Sequence, residues 1–191
     1  MLDFQAYRDK KVTFQGLVDD KTVADLRDLN NEMVDKILEL IANATDADVV
    51  FVPQDPDAND TFASNDGDVD LAWTLGHVVV HSTASSEEAA ALAAEMARGV
   101  ELHGRSRSEI PWETVTTVDQ CRERLEESRR MVNGSLDMWP DNPYYDIKFT
   151  AWASIGDVDA RGRFALGLAH AASHLGQVAE IMRQAKAARG A

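Results

Sequence analysis

Apolar residues recur at spacings of three and four along much of the chain, which is the period of a helix with one buried face. The clearest example is a helix predicted over residues 22–43, where Thr22 and Asp25 resemble a helix start signal. Its apolar face would consist of Val23, Leu26, Met33, Ile37, Leu40 and Ile41. Residues 1–20 are less regular, and we expect them to dock as a short extra helix.

Two more helical segments follow. One is predicted over residues 69–100, either as a single helix or with a kink or new start within residues 82–88. The next is predicted over residues 117–139, where Thr117 and Gln120 fit a capping box. Because each segment is long enough for several turns, we interpret both as helices of a bundle.

The last helical segment spans about residues 157–188, with Ser154 and Asp157 as candidate caps. No stretch alternates apolar and polar residues for long enough to predict a sheet. Four long helices joined by loops predict an all-α, four-helix up-and-down bundle that forms one domain over residues 1–191. The loop over residues 45–67 is longer than most loops in compact domains, so we expect it to be functional or partly mobile.

Composition limits the classes of partner. The chain is 45% hydrophobic and carries a formal net charge of −14, which argues against binding to nucleic acids and to anionic membranes. No stretch is apolar and long enough to cross a bilayer, and the N-terminus lacks the apolar core of a signal peptide. Cys121 is the only cysteine, which excludes an intramolecular disulfide. We therefore expect a cytoplasmic protein that acts on a small molecule.

Four of the five histidines lie in two stretches without charged residues. His77 and His81 lie in residues 71–86, and His170 and His174 lie in residues 164–179. An even spread of the 27% charged residues would place about four in each window, so both helices should be largely enclosed by protein. Each pair is spaced four residues apart, which puts both rings on one helix face.

Imidazoles inside a protein need polar partners, because an unpaired buried polar group costs about 1–3 kcal/mol. One explanation is a metal ion held by His170, His174 and an imidazole from the facing helix. The other is a set of hydrogen-bonded core histidines. Residue types and spacing leave both open.

Two motifs resemble the DinB/YfiT-like superfamily of predicted metalloenzymes. Trp73 lies four residues before His77 on the second long helix, and His170, His174 and Gln177 form a His-x-x-x-His-x-x-Gln motif on the last. The resemblance implies a four-helix bundle with one divalent metal ion, commonly zinc or nickel, held by three histidines. On this sequence those ligands map to His77, His170 and His174.

The same resemblance implies a function. Relatives include S-transferases that use bacillithiol or mycothiol and an isomerase that uses mycothiol. We therefore expect a metal-dependent enzyme, namely a transferase that uses a low-molecular-weight thiol. A metal-dependent hydrolase and a non-catalytic stress protein that binds metal or a small ligand are the alternatives, and a homodimer fits bundles of this type.

Other residues have smaller expected roles. His81 lies one turn after His77, and we assign it a catalytic or supporting role near the metal rather than direct ligation. Gln177 could orient His174. His103 is expected to be solvated, and Cys121 to be buried. Candidate ligand contacts at the pocket rim are Tyr144, Tyr145, Trp152 and Arg163.

Overall fold

The computed structural model describes residues 1–60, 69–104 and 109–190. In this part of the chain there are six α-helices and one small antiparallel sheet. The helices are α1 (Phe4–Arg8), α2 (Val23–Leu40), α3 (Asp46–Val49), α4 (Leu75–Ala97), α5 (Val118–Asp137) and α6 (Ala160–Ala188), and the strands are β1 (Phe149–Thr150) and β2 (Asp157–Val158). The prediction of an all-α protein built on four long helices, here α2, α4, α5 and α6, is confirmed.

Two of the predicted helix starts are formed by side chains close in sequence. At α2 the Thr22 hydroxyl accepts a hydrogen bond from the Asp25 backbone N–H, and the Asp25 carboxylate accepts one from the Thr22 backbone N–H. Thr117 and Gln120 make the same reciprocal pair at α5. These capping boxes satisfy backbone donors that no helical carbonyl can reach, so each fixes where its helix begins.

The second long helix, α4, differs from its prediction at its start. It begins at Leu75 rather than near residue 69, after Thr74, whose hydroxyl accepts a hydrogen bond from the His77 backbone N–H. It then continues unbroken to Ala97, so no new helix starts within residues 82–88.

The start of α6 corrects a second expectation. Asp159 caps the helix, and its carboxylate accepts hydrogen bonds from the backbone N–H groups of Arg161 and Gly162. The proposed caps Ser154 and Asp157 were wrong. Asp157 instead pairs with Thr150 in the two-stranded sheet.

The four long helices form a bundle in which α2 and α4 each pack against both α5 and α6. The core has two regions. One region joins the first half of α4 and of α5 to the second half of α2 and of α6, through Val79, Leu125, Ile37 and Ile181. The other joins the opposite halves, through Ala93, Val132, Leu26 and Phe164. Hence α4 and α5 run in one direction, and α2 and α6 run in the other. In the predicted up-and-down order each helix is antiparallel to the one before. The structure differs from this order at α5, which runs parallel to α4.

Helices α4 and α6 approach each other closely at Gly167. A Cβ atom at this position would lie 2.9 Å from the Ala89 Cβ and 3.2 Å from the Ser86 Cα. Only a residue without a side chain permits this distance. The close approach brings the facing side chains of the two antiparallel helices together.

The N-terminal segment docks on the bundle, and α1 is the short extra helix expected there. Phe4 and Phe14 are buried in the core, and the Tyr7 ring meets the Phe14 ring edge-on at 5.3 Å. None of the helices that the structure describes has the length and apolar character needed to cross a membrane.

Candidate metal centre

Three histidines from α4 and α6 meet where these helices cross. The Nε2 atoms of His81 and His170 are 2.9 Å apart, and those of His170 and His174 are 3.3 Å apart. One ring nitrogen from each of the three lies within 4.8 Å of the other two. Among the described residues, this is the group of side chains that could hold a metal ion.

The second nitrogen of two of these rings contacts an oxygen acceptor. His174 Nδ1 lies 2.8 Å from Gln177 Oε1, and His81 Nδ1 lies 3.4 Å from Glu109 Oε1. An oxygen acceptor favours the proton on Nδ1, which leaves the Nε2 lone pair directed at the group. Such partners are the usual supports of metal-binding imidazoles, since they fix both tautomer and ring orientation.

The spacing of the nitrogens fits a single metal ion. Zinc–imidazole bonds of about 2.0–2.1 Å at tetrahedral angles place the ligand nitrogens about 3.3 Å apart, and octahedral angles place them about 3.0 Å apart. The two separations in the structure, 2.9 and 3.3 Å, lie close to these two values. Imidazole nitrogens suit zinc and nickel alike, so the donor set fits the predicted metals without choosing between them.

The electrostatic surroundings of His174 favour the neutral ring that a metal requires. Burial lowers the pKa of His174, and the nearby His81 acts in the same direction. The hydrogen bond that His174 donates to Gln177 raises the pKa, but burial outweighs it. His174 is therefore neutral at neutral pH and has a lone pair to donate.

Trp73 forms one wall beside the group. Its ring centroid lies 4.6 Å from that of His81 and 5.8 Å from that of His174. An aromatic wall in contact with two of the rings restricts their rotation and excludes water from that side. Trp73, which sequence analysis associated with His77, thus also contacts His81 and His174.

His77 lies beside this group rather than in it. Its ring is stacked between the indoles of Trp73 and Trp112, at centroid distances of 4.3 and 4.6 Å. The loop that carries Trp112 can approach because residue 76 is glycine, where a Cβ would lie 2.6 Å from the Val115 carbonyl oxygen. Burial, with a smaller effect from His81, lowers the pKa of His77 to about 4.

The structure thus brings together two of the three residues predicted as ligands, His170 and His174. The third member of the group is His81, which was predicted to act near the metal, while the predicted ligand His77 is held between two indoles. Within the described residues, His77 Nδ1 is buried without a hydrogen-bond partner. His77 was the predicted ligand, but the geometry favours ligation by His81 over ligation by His77.

Sequence analysis did not identify Glu109 or Trp112 as part of the site. Both lie in the segment between α4 and α5, where no helical periodicity places a side chain. His103, expected to be solvated, is exposed and bonded to Glu95, with 2.6 Å between Nε2 and Oε2. Cys121 is fully buried, as expected, and burial raises the pKa of its thiol to about 12.

One side of the histidine group opens into a cavity of about 1170 Å³. Two of the expected rim residues, Trp152 and Arg163, line it. Tyr145 instead lies beneath the Arg161 guanidinium, 4.1 Å from ring centroid to Cζ. Residues 61–67 of the long loop over residues 45–67 lie outside the described residues.

The family model of the DinB superfamily matches residues 30–178, a span that contains α4, α5 and all four histidines of the site region. No curated protein and no solved structure matched the chain. The family match covers most of the sequence, and the chain belongs to the DinB superfamily.

Proposed function

Because the chain is a member of the DinB superfamily, we propose that it binds one divalent metal ion through Nε2 of His81, His170 and His174. We propose further that it uses this metal to transfer a low-molecular-weight thiol to an electrophilic small molecule. The observation that carries the proposal is the convergence of three Nε2 atoms from two helices, at separations of 2.9 and 3.3 Å.

The number of protein ligands favours a catalytic metal over a structural one. Structural zinc sites are closed by four protein ligands, whereas catalytic sites keep three and leave a position for water or substrate. His77 would be the natural fourth ligand, but its ring is held between two indoles. The open side of the group adjoins the cavity, so a small molecule has access to the remaining position.

Three uncharged ligands leave the full charge of the metal in place. A divalent ion held by them would lower the pKa of a coordinated thiol and so supply a thiolate nucleophile near neutral pH. The residues of the chain contribute orientation. Gln177 orients the ring of His174 through a hydrogen bond, Glu109 lies near the ring of His81, and Trp73 restricts both rings from the side.

The thiol would have to come from a cofactor. Cys121 is the only cysteine of the chain, it is fully buried, and its pKa of about 12 keeps it protonated. The cavity volume of about 1170 Å³ lies just above the range of about 300–1,000 Å³ that is usual for a single small-molecule site, so it leaves space for a small thiol beside a second substrate. This capacity favours a reaction between a thiol and a second substrate over hydrolysis, in which the second reactant is water.

The test has two steps. Metal content is measured by elemental mass spectrometry on the wild type and on His170→Ala, and we expect about one metal ion per chain only in the wild type. The loaded protein is then assayed with bacillithiol, mycothiol or cysteine and with monobromobimane as the electrophile, against the uncatalysed rate.

The outcomes separate the alternatives. A rate increase that needs both metal and thiol supports the transferase. Metal binding without thiol-dependent turnover contradicts the transferase, and turnover of esters in its place would identify a hydrolase. Absence of metal from the wild type, before and after titration, would overturn the metal centre itself and leave hydrogen-bonded core histidines.

A further inference from the structure

The cavity next to the histidines has two chemically different regions. It is bounded by the N-terminal segment, α4, the β1–β2 region and α6. Its volume of about 1170 Å³ extends well beyond the space that a metal and its direct ligands need. The side chains away from the histidines therefore influence which substrates fit the cavity.

The face of α6 that lines the cavity changes character along the helix. His174 and His170 lie on this face, followed toward the start of the helix by Leu166. Four residues of helix correspond to about 6 Å, so Leu166 lies about one turn from the proposed metal ligand His170. The same face of one helix thus presents imidazoles and then an apolar side chain.

Further apolar side chains line the cavity outside α6, beside polar residues of the N-terminal segment such as Gln5 and Arg8. Leu2 from the N-terminal segment and Phe149 and Ile155 from the β1–β2 region line the cavity. These three side chains and Leu166 are partly buried hydrophobic residues at the edge of the core. Trp152 lines the same cavity and is 59% exposed. An apolar ligand in the cavity would remove this apolar surface from water.

Two charged side chains mark the far end of the apolar region. Glu88 follows His81 by seven residues on α4, and Arg163 precedes His170 by seven residues on α6, and both line the cavity. Since α4 and α6 are antiparallel, both residues lie at the same end, about 10 Å from the histidines along the helices. The Arg163 guanidinium lies over the Phe149 ring, 4.1 Å from its centroid.

We propose that the substrate is an elongated molecule with an apolar body about 10 Å long. Its reacting end lies at the histidines, and its apolar body lies against Leu166, Phe149, Ile155 and Leu2. The assignment of the reacting end rests on the proposed function, whereas the apolar body rests on the cavity alone. A small, fully polar electrophile would leave these apolar walls in contact with water.

Two homologous series of ligands test the proposal. The metal-loaded protein is titrated calorimetrically with aceto-, butano-, hexano- and octanohydroxamate, whose heads coordinate metal ions. The metal-free protein is titrated with alkanols of the same chain lengths, which need no metal. We expect affinity to rise about two- to fourfold for each added methylene in both series, because a buried methylene contributes about 0.8 kcal/mol.

A matched pair of variants tests where the alkyl chain of these ligands lies in the cavity. Leu166 and Leu175 are both partly buried leucines of α6, but only Leu166 belongs to the described lining of the cavity. In Leu166→Ser, the ratio of the affinity for octanohydroxamate to the affinity for acetohydroxamate should fall several-fold. In Leu175→Ser, this ratio should stay as in the wild type. Because the readout is a ratio of two affinities of the same variant, a change in overall stability does not alter it. Circular dichroism confirms that each variant folds.

Each result decides one point. Affinity that does not increase with chain length in the wild type overturns the apolar body, as does an equal gain in the two variants. Alkanols that gain affinity with length, together with hydroxamates that bind no better than alkanols, would support the apolar body and contradict the metal centre.

Discussion

His81 Nε2 and His170 Nε2 lie 2.9 Å apart, although 89 positions separate the two residues in the chain. One belongs to α4 and the other to α6, so their distance is set by how these helices pack. Any residue that fixes the separation or rotation of the two helices therefore acts on the candidate metal centre.

The first prediction concerns which histidine of α4 binds the metal. We expect His81→Ala to reduce the affinity for zinc by more than about a hundredfold, since loss of a supporting partner alone costs about 10–100-fold. His77→Ala should change the affinity by less than about tenfold, because His77 is stacked between Trp73 and Trp112 outside the group. Competition with a chromogenic chelator measures both affinities.

The two variants control for each other. They remove the same side chain from the same helix, one turn apart, and both residues are largely buried. The reverse result, with metal lost only from His77→Ala, would establish His77 as the ligand and contradict the proposed group.

The helices and several of their ends could be predicted from the sequence because they depend on neighbouring residues. The capping boxes of Thr22 with Asp25 and of Thr117 with Gln120 each span four residues, and the apolar period covers whole helices. The cap of α6 was misassigned because Ser154, Asp157 and Asp159 all precede that helix. The packing of the chain favours Asp159, whose backbone N–H donates a hydrogen bond to Gln15, 144 positions away.

The histidine-rich helix faces were also predictable, but the choice within α4 was not. Residues four apart on a helix differ by only about 40° in direction, so His77 and His81 face the same neighbourhood in any sequence-based wheel. The rotation of α4 against α6 and the approach of Trp112 decide which ring meets His170. Both depend on contacts between residues far apart in the chain, as does the position of Glu109.

The second prediction tests the close approach of α4 and α6. In Gly167→Ala the new Cβ would lie 2.9 Å from the Ala89 Cβ and 3.2 Å from the Ser86 Cα. We expect the helices to be pushed apart, with a loss of about 1–3 kcal/mol in the free energy of unfolding of the metal-free protein. Zinc affinity should fall as well. Urea denaturation and metal titration measure the two effects.

Gly176→Ala is the control for this substitution. It makes the same change in the same helix, but a Cβ at this position meets nothing within 4 Å. Because alanine has the higher helix propensity, Gly176→Ala should raise stability by up to about 1 kcal/mol and leave zinc affinity unchanged. Equal behaviour of the two variants would mean that close packing at Gly167 does not position the histidines.

The third prediction concerns the support of His174. Gln177 Oε1 accepts a hydrogen bond from His174 Nδ1 at 2.8 Å, which fixes the tautomer that presents Nε2 to the metal. Gln177→Met keeps the length of the side chain and removes the acceptor. We expect zinc affinity to fall about 10–100-fold, with little change in helix content.

Gln184→Met provides the comparison for Gln177→Met. Gln184 lies on the same helix, but its side-chain amide bonds Gln54 and Glu180 away from the histidines. Its replacement should leave zinc affinity within about twofold of the wild type. If Gln177→Met binds zinc as the wild type does, contacts such as the Trp73 ring, and not the hydrogen bond, orient His174.

The last prediction is a dependence of stability on pH that originates at His77. Burial holds the pKa of this residue at about 4 in the folded protein, against an ordinary value of 6.5. Above about pH 6.5 the ring is neutral in both states, so pH has no effect through it. At lower pH the unfolded chain takes up a proton that the folded chain does not, and the free energy of unfolding falls until about pH 4. His174, whose pKa is also lowered, acts in the same direction.

Urea denaturation of the metal-free protein should therefore show a loss of roughly 2 kcal/mol from His77 between about pH 7 and about pH 5. His77→Phe isolates this contribution, because a phenyl ring can stack between Trp73 and Trp112 without titrating. The variant should lose less stability over the same interval than the wild type does. An identical loss in both proteins would assign the acid sensitivity to other groups and contradict a neutral, buried His77.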